Sequence, residues 1–202
     1  MQSIVDICNT ALRYLGDDAS ISEINPPDGS PQSENCAALY PKARDEVLEQ
    51  HAWRFANARQ ALTALSVTVE GWGYAYAAPS DMICPRAIIP GGWQRDDDPV
   101  DFTTEIDANG DTLILTDTPS ATLRYTRAIT NPALFTPLFC EAVSWLLASK
   151  LAGPILKGDA GRTATAECYK MFVYSLNRAK EIDANAQHVP APSKPSWIEA
   201  RG

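Results

Sequence analysis

The longest apolar stretch of the chain, residues 137–156, constrains the fold more than any other feature. Its apolar side chains run nearly all the way round a helix, and such a helix needs neighbours on every side. Glu141 and Lys150 lie inside it, whereas a membrane span carries few or no charges. We therefore interpret the stretch as the central helix of a bundle, with a membrane span as the less favoured alternative. Thr136-Pro137 would start this helix as cap and first residue, and Gly153-Pro154 would end it.

Three more segments have helical spacing, which makes a bundle of about four helices. The first carries apolar residues from Ile4 to Leu15 and is followed by Gly16, a typical residue after a helix end. The second starts at Ser30-Pro31, and Pro41 predicts a kink or a late start. Its seam is Cys36, Tyr40, Ala43, Val47 and Gln50. The last runs from about Asp159 to Ala184, with a stripe of Cys168, Met171/Phe172, Ser175/Leu176, Ala179 and Ile182.

Between these helices the chain is rich in Thr, Val, Ile, Tyr and Trp and is interrupted by Gly and Pro, which predicts antiparallel strands. Asn109-Gly110 is the strongest hairpin signal. The candidate strands are Leu62–Val69, Trp72–Ala78, Ile83–Ile89, Val100–Glu105, Thr112–Leu115 and Thr122–Arg127.

The chain is thus predicted to be α+β, a helical bundle with an inserted β-rich block and an extended C-terminal tail. We place the N-terminal helices at 1–58, the β-rich insertion at 59–130, the C-terminal helices at 131–185 and the Pro-rich tail at 186–202. At the centre of the bundle we expect three side chains, Phe139, Trp145 and Leu146. Their expected neighbours are Leu12, Val47 and Phe172.

Residues that carry catalysis are sparse. The chain has two histidines, His51 at a helix end and His188 in the tail, and neither accompanies a nucleophile motif. The acidic run Asp96–Asp98 lacks the spacing of a calcium loop and is interpreted as a solvated turn. We predict no catalytic residue, no cofactor and no metal.

Five cysteines are an odd number, and no pair has the close spacing of a zinc site. They are Cys8, Cys36, Cys84, Cys140 and Cys168. Most sit among apolar residues, so we expect reduced, mostly buried thiols, which suits maturation in a cytosol.

Charge is distributed unevenly along the chain. Residues 1–130 carry 9 basic and 19 acidic side chains, whereas residues 131–202 carry 8 and 6. Binding of DNA through counterion release requires a Lys- and Arg-rich surface, so this composition argues against DNA neutralisation.

The tail carries the one candidate interaction site. Prolines at 190, 192 and 195 reduce the entropy lost on ordering, and Trp197 is a strong interface anchor with few neighbours in sequence. We expect Trp197 to fill an apolar pocket on a partner, supported by Pro195 and Ile198, with Arg201 pairing with a carboxylate or carbonyl. The alternative is a tail that folds back on its own domain or stays disordered.

Five motifs follow one another in a recognisable order. The first is the N-terminal segment from Ile4-Val5 through Ala11-Leu12 to Leu15-Gly16, and the second is Trp53-Arg54-Phe55. The third runs from Tyr74-Ala75-Tyr76 to Pro79-Ser80-Asp81. The fourth combines Leu123-Arg124-Tyr125 with Asn131-Pro132, and the fifth combines Tyr169 with Ala179–Ala184. This order resembles the tail tubular protein A family, the head-to-tail adaptors or gatekeepers of T7-like short-tailed phages. The resemblance covers nearly the whole chain.

The resemblance implies a virion protein of the tail or neck, made in the host cytoplasm and without catalysis. Such proteins form a homo-oligomeric ring of 12 copies between the portal protein and the tail nozzle protein. DNA passes through the channel of the ring without specific binding, and no membrane is involved. An acidic wall agrees with this expectation because like charge keeps DNA from adhering. The tail would engage the portal.

Two other classes remain open on the residues alone. A virion-associated glycan-degrading enzyme would need two carboxyl groups that converge in a cleft. A small regulatory or assembly module would be a monomer both in solution and in its particle.

Overall fold

A computed structural model of the chain describes residues 2–90 and 100–186, and within them the fold is α+β. The helices are α1 (Ile4–Tyr14), α2 (Pro31–Glu49), α3 (Pro137–Leu156) and α4 (Gly158–Asn185). The strands are β1 (Asn57–Ala61), β2 (Tyr74–Ala77), β3 (Met82–Ile89), β4 (Phe102–Ile106), β5 (Thr112–Thr116) and β6 (Thr122–Arg127). All strands therefore lie between α2 and α3, and the helices on either side of them pack into one core.

Helix α3 is the centre of the bundle and contacts α1, α2 and α4. By length and composition it could cross a membrane, but 61% of its most apolar 18-residue segment is buried inside the protein. Phe139 and Leu146 are fully buried, in the same core as Leu12, Val47 and Phe172. The apolar character of α3 thus has a structural cause, burial against three other helices.

Trp145 departs from the predicted core. It is only partly buried and stacks on Tyr14, with ring centroids 3.6 Å apart and planes 8° from parallel. Its position on α3 faces the end of α1 rather than the centre of the bundle. The expectation of a central Trp145 is therefore wrong, because its position on α3 places the indole ring against Tyr14 of α1.

Local signals set most helix starts. Ser3 forms a capping box with Asp6, Ser30 accepts from the Ser33 N–H, and Thr136 accepts from the Phe139 N–H. Gly16 has a φ of 75°, as expected after the end of α1.

Two predicted helix boundaries were wrong, the late start of α2 near Pro41 and the end of α3 at Gly153-Pro154. Helix α2 starts on time at Pro31 and continues past Pro41, whose ring lies on the exposed side of the helix. Helix α3 continues through Gly153 and Pro154 to Leu156. A proline removes one hydrogen bond and crowds the preceding turn, and the packing of these helices outweighs that cost.

The strands form two antiparallel three-stranded sheets. Sheet one has the order β1-β6-β3, and sheet two has the order β2-β5-β4. Their facing sides share a small core that includes Tyr76, Ile114 and Leu123. Sheet one also meets the bundle, because β3 contacts α2 and Ile83 packs on the helical core.

One predicted strand was wrong and one strand was missed. Segment 62–69 forms only an isolated bridge from Ala64 to Tyr76, and its apolar residues Leu65 and Val69 cover the outer side of sheet two. Strand β1 lies just before it and pairs with β6 over its full length. The sequence of β1 is polar and mostly exposed, so no apolar alternation indicates it.

The predicted hairpin is present between β4 and β5. Gly110 has a φ of 90°, which favours glycine, and its N–H donates to the Asp107 carbonyl. The Asp107 carboxylate accepts from the N–H groups of Asn109 and Asp111. These hydrogen bonds lower the pKa of Asp107, with the Asp111 N–H contributing most.

Candidate interaction surfaces

The residues expected to bind a portal, Pro195, Trp197, Ile198 and Arg201, lie outside the described residues. So do Trp93, Asp96–Asp98 and His188. Helix α4 ends at Asn185, two residues beyond a contact with the residues that follow α2.

That contact joins His51 to Asp183. The His51 Nε2 lies 3.2 Å from an Asp183 carboxylate oxygen, and the same carboxylate accepts from the Arg54 N–H at 3.3 Å. His51 also packs edge-on against Trp53, with ring centroids 4.9 Å apart. No hydroxyl or thiol hydrogen-bonds to His51 among the described residues. The arrangement is a clip between α2, the start of the strand block and α4, and it lacks a nucleophile.

Two tyrosines of the motifs in the strand block, Tyr76 and Tyr125, form hydrogen bonds that connect separate segments. The Tyr76 hydroxyl donates to the Thr118 carbonyl at 2.8 Å, and the Tyr125 hydroxyl donates to the Asp81 carboxylate at 2.9 Å. The Asp81 carbonyl in turn accepts from the Ala128 N–H at 2.8 Å. Burial raises the pKa of Tyr125, and Asp81 adds to the effect. Asp81 thus links the start of β3 to the end of β6.

The cysteines are free, and all but Cys84 are buried. The hydrogen bond between the Cys8 and Cys36 thiols raises the pKa of Cys8, and burial adds to it. Burial also raises the pKa of Cys140 to about 11. Within residues 2–90 and 100–186 no group of three His, Cys, Asp or Glu side chains is arranged to hold a metal ion.

Helix α4 exposes several large apolar side chains on its outer side. One side of the helix is buried against α3 through Cys168, Phe172 and Leu176. Five large apolar side chains of α4 are nevertheless exposed, namely Tyr169, Met171, Val173, Tyr174 and Ile182. Met171 and Ile182 were expected in the buried stripe, and that expectation is wrong because the contact with α3 is narrower than the stripe. In the sequence, this exposed surface could have been recognised from the large apolar side chains that lie off the predicted stripe, Tyr169, Val173 and Tyr174.

The outer face of α4 also carries cations. Lys170 and Arg178 are exposed one helical turn before and after Tyr174, whose side chain is 64% exposed. Neither cation forms an ion pair with another described residue. Exposed Glu167 and Glu181 lie two turns before and after Tyr174 on the same side of the helix, so this side carries charges of both signs.

Sheet two is acidic throughout. Its strands and connections, residues 62–80 and 100–121, hold six carboxylates and no Lys, Arg or His. The carboxylates are Glu70, Asp101, Glu105, Asp107, Asp111 and Asp117. Three large apolar side chains are exposed on the same part of the molecule, Val67, Tyr74 and Ile106. These side chains do not share one surface, because Glu105 and Ile106 are consecutive in β4 and point to opposite sides of the sheet.

A cleft of about 400 Å³ opens between the β3 edge of sheet one and the β4 edge of sheet two. Met82, Ile83 and Pro85 line one side, and Thr104, Glu105 and Ile106 line the other. It holds one carboxylate, so it does not provide the pair of carboxyl groups that glycoside hydrolysis requires.

No protein-family model matches this chain, and no curated protein matches it either. Identification of its function therefore depends on the motifs, the fold and the surfaces described above.

Proposed function

We propose that this chain is a structural virion protein, the head-to-tail adaptor of a short-tailed phage. In this role about 12 copies form a ring between the portal protein and the tail nozzle protein, and DNA passes through the channel without specific binding. The protein would be made in the host cytoplasm and reside in the tail or neck of the virion.

The observation that carries the proposal is where the motif residues lie. The first motif is α1 with its terminal glycine, Trp53 is fully buried at the start of the strand block, and Asp81 links β3 to β6. The motifs that resemble the adaptor family thus occupy a helix of the bundle, the start of the strand block and a link within sheet one. That placement supports an architecture shared with the adaptor family, because chance matches of short sequence motifs need not fall at structurally important positions.

The surfaces support an assembly role. Eight of the ten exposed large apolar side chains among the described residues belong to α4 or to the strands and connections of sheet two. Exposed apolar side chains scattered singly are ordinary, whereas their concentration in two parts of a molecule is typical of proteins that assemble. The acidic surface of sheet two also disfavours binding to a DNA phosphate backbone.

The test is the mass of the purified protein, measured alone and with portal rings of the phage that encodes it. An adaptor is expected to form a complex of fixed stoichiometry on the portal, visible as an added ring by electron microscopy. A protein that remains monomeric and unbound in the presence of portal would contradict the proposal and favour the regulatory module.

A further inference from the structure

We infer that two copies of this chain bind each other through α4, with the two helices antiparallel and related by a two-fold axis. The contact uses one side of α4, which we call the outer stripe. Its members follow one another at alternating intervals of four and three residues, and they are Ala160, Ala164, Glu167, Met171, Tyr174, Arg178, Glu181 and Asn185. This spacing keeps them on one side of the helix and is the spacing of a coiled-coil contact. The inference does not depend on the proposed function.

The outer stripe is largely uncovered in the single chain. Helix α4 packs on α3 through residues such as Phe172 and Leu176, which lie about a third of a turn away from the stripe. Ala164 is partly buried, and the other members of the stripe are exposed. Tyr174 is 64% exposed and Met171 is 41% exposed. The stripe therefore has an apolar centre that a partner would cover.

The charges on either side of this centre identify a second copy as the partner. Glu167 lies one turn before Met171, and Arg178 lies one turn after Tyr174. In an antiparallel pair of identical helices, two positions face each other when they are equally far from the two-fold axis. An axis midway between positions 172 and 173 places Met171 opposite Tyr174 of the second copy. The same axis places Glu167 opposite Arg178, so an ion pair lies on each side of the apolar centre.

The ends of the stripe fit the same register. Ala164 faces Glu181 of the second copy, and Ala160 faces Asn185. Each of these contacts combines a small side chain with a longer one, which keeps the distance between the helix axes even along α4. Lys170 borders the stripe and lies level with an uncharged serine of the second copy. No position of the stripe therefore lies directly opposite a like charge.

Other arrangements of the two helices are less favourable. In a parallel pair each residue faces its own counterpart, so Glu167, Arg178 and Glu181 would each meet a like charge. An antiparallel pair centred on Tyr174 places Glu167 opposite Glu181. A shift of the register by seven residues in either direction places Met171 opposite a carboxylate, that of Glu167 or Glu181. The sequence of the stripe thus selects one register.

The α4 contact is closed, because both copies use the same stripe and a third copy finds none free. In the proposed ring all copies point in one direction, whereas the two copies of this dimer point in opposite directions. The dimer is therefore a state of the free protein, which separates before a ring forms. It would shield the apolar centre of the stripe until then.

The test exchanges the charges of the facing pair. Glu167→Lys and Arg178→Glu are made separately and then combined in one chain. Both side chains are exposed, and neither forms an ion pair with another described residue. Glu70→Lys and Lys42→Glu, at exposed positions outside α4, are the controls with the same charge changes. Tyr174→Ala tests the apolar centre.

Association is measured by analytical ultracentrifugation over a range of protein concentrations, with circular dichroism as the check on folding. The native protein and both controls should dimerise. Each single reversal creates two like-charge contacts per dimer and should raise the dimer dissociation constant about tenfold or more. The combined variant should dimerise as the native protein does, since each ion pair is restored with its signs exchanged. Tyr174→Ala should also weaken the dimer.

Two results would overturn the inference and leave the adaptor proposal, which is tested on portal rings, unaffected. One is a native protein that remains monomeric at every concentration. The other is a pair of single reversals that dimerise as tightly as the native protein. Single reversals that weaken the dimer without recovery in the combined variant would overturn the assigned register, because Glu167 and Arg178 would then not face each other.

Discussion

His51 and Asp183 lie 3.2 Å apart although 132 positions separate them in the chain, and they join the end of α2 to the last turn of α4. The Asp183 carboxylate is 10% exposed and also accepts from the Arg54 N–H, so it holds three segments together. This joint lies two residues before the end of α4 at Asn185. It fixes the C-terminal end of α4 against the residues that follow α2.

Loss of this joint should lower stability without unfolding the protein. We expect Asp183→Ala to cost about 1–3 kcal/mol, because the His51 and Arg54 donors lose their acceptor. His51→Gln should cost less, about 0.5–1.5 kcal/mol, because the Arg54 contact remains. Urea unfolding followed by circular dichroism measures both, with the exposed Glu181→Ala as the control. Equal costs for Glu181→Ala and Asp183→Ala would contradict the role of the clip.

The buried and partly buried aromatic residues of α3 should differ in their contribution to stability. Phe139 is fully buried and meets Trp53, Phe55 and Phe135, so Phe139→Ala should cost on the order of 3–5 kcal/mol. Trp145→Ala removes a stack on Tyr14 at the edge of the bundle and should cost about 1–2 kcal/mol. Denaturant titration compares the two. A larger loss for Trp145→Ala would contradict the observed packing.

The thiols should react in two groups. Cys84 is half-buried, whereas the other four cysteines are buried, and the pKa of Cys140 is raised to about 11. Near pH 8, an aromatic disulfide reagent should therefore modify Cys84 first and the remaining four only after unfolding. The Cys84→Ser variant should lose the fast phase. Rapid reaction of all five thiols in the native protein would contradict the packed core.

The protein should lack glycan-cleaving activity. His51 contacts Asp183 and Trp53 and has no nucleophile beside it among the described residues. The cleft between the sheets contains one carboxylate, that of Glu105. Zymography on host envelope polysaccharides should therefore show no clearing for the native protein or for His51→Gln. A reproducible activity that a single Asp or Glu substitution abolishes would favour the enzyme alternative.

The C-terminal tail should carry portal binding. Truncation after Asn185 and the single substitution Trp197→Ala should both lose binding in pull-downs on portal rings, because Trp contributes a large contact area. Of the described residues the truncation removes only Ala186, which follows the end of α4, so circular dichroism should remain native. Ser193→Ala is the matched control within the tail and should bind normally. A truncated protein that binds portal as well as the full chain would refute the tail as the anchor.

The sequence predicts those elements that local signals specify. A serine or threonine cap followed by proline placed the starts of α2 and α3, apolar helical spacing placed α1, and Asn109-Gly110 placed the β4–β5 turn. These signals act within a few residues, so neighbours in sequence are sufficient to interpret them. The uninterrupted apolar surface of α3 likewise predicted its central position, because only full burial accommodates it.

Tertiary contacts decided the rest. Strand β1 is polar and exists because β6 offers a pairing edge, whereas the apolar segment 62–69 covers sheet two. Trp145 stacks on Tyr14 of α1 instead of lying at the centre of the bundle, and Pro41 is tolerated because its side of α2 faces solvent. The clip between His51 and Asp183 depends on residues far apart in the chain. Composition records such residues, but only the folded backbone determines which of them share a surface.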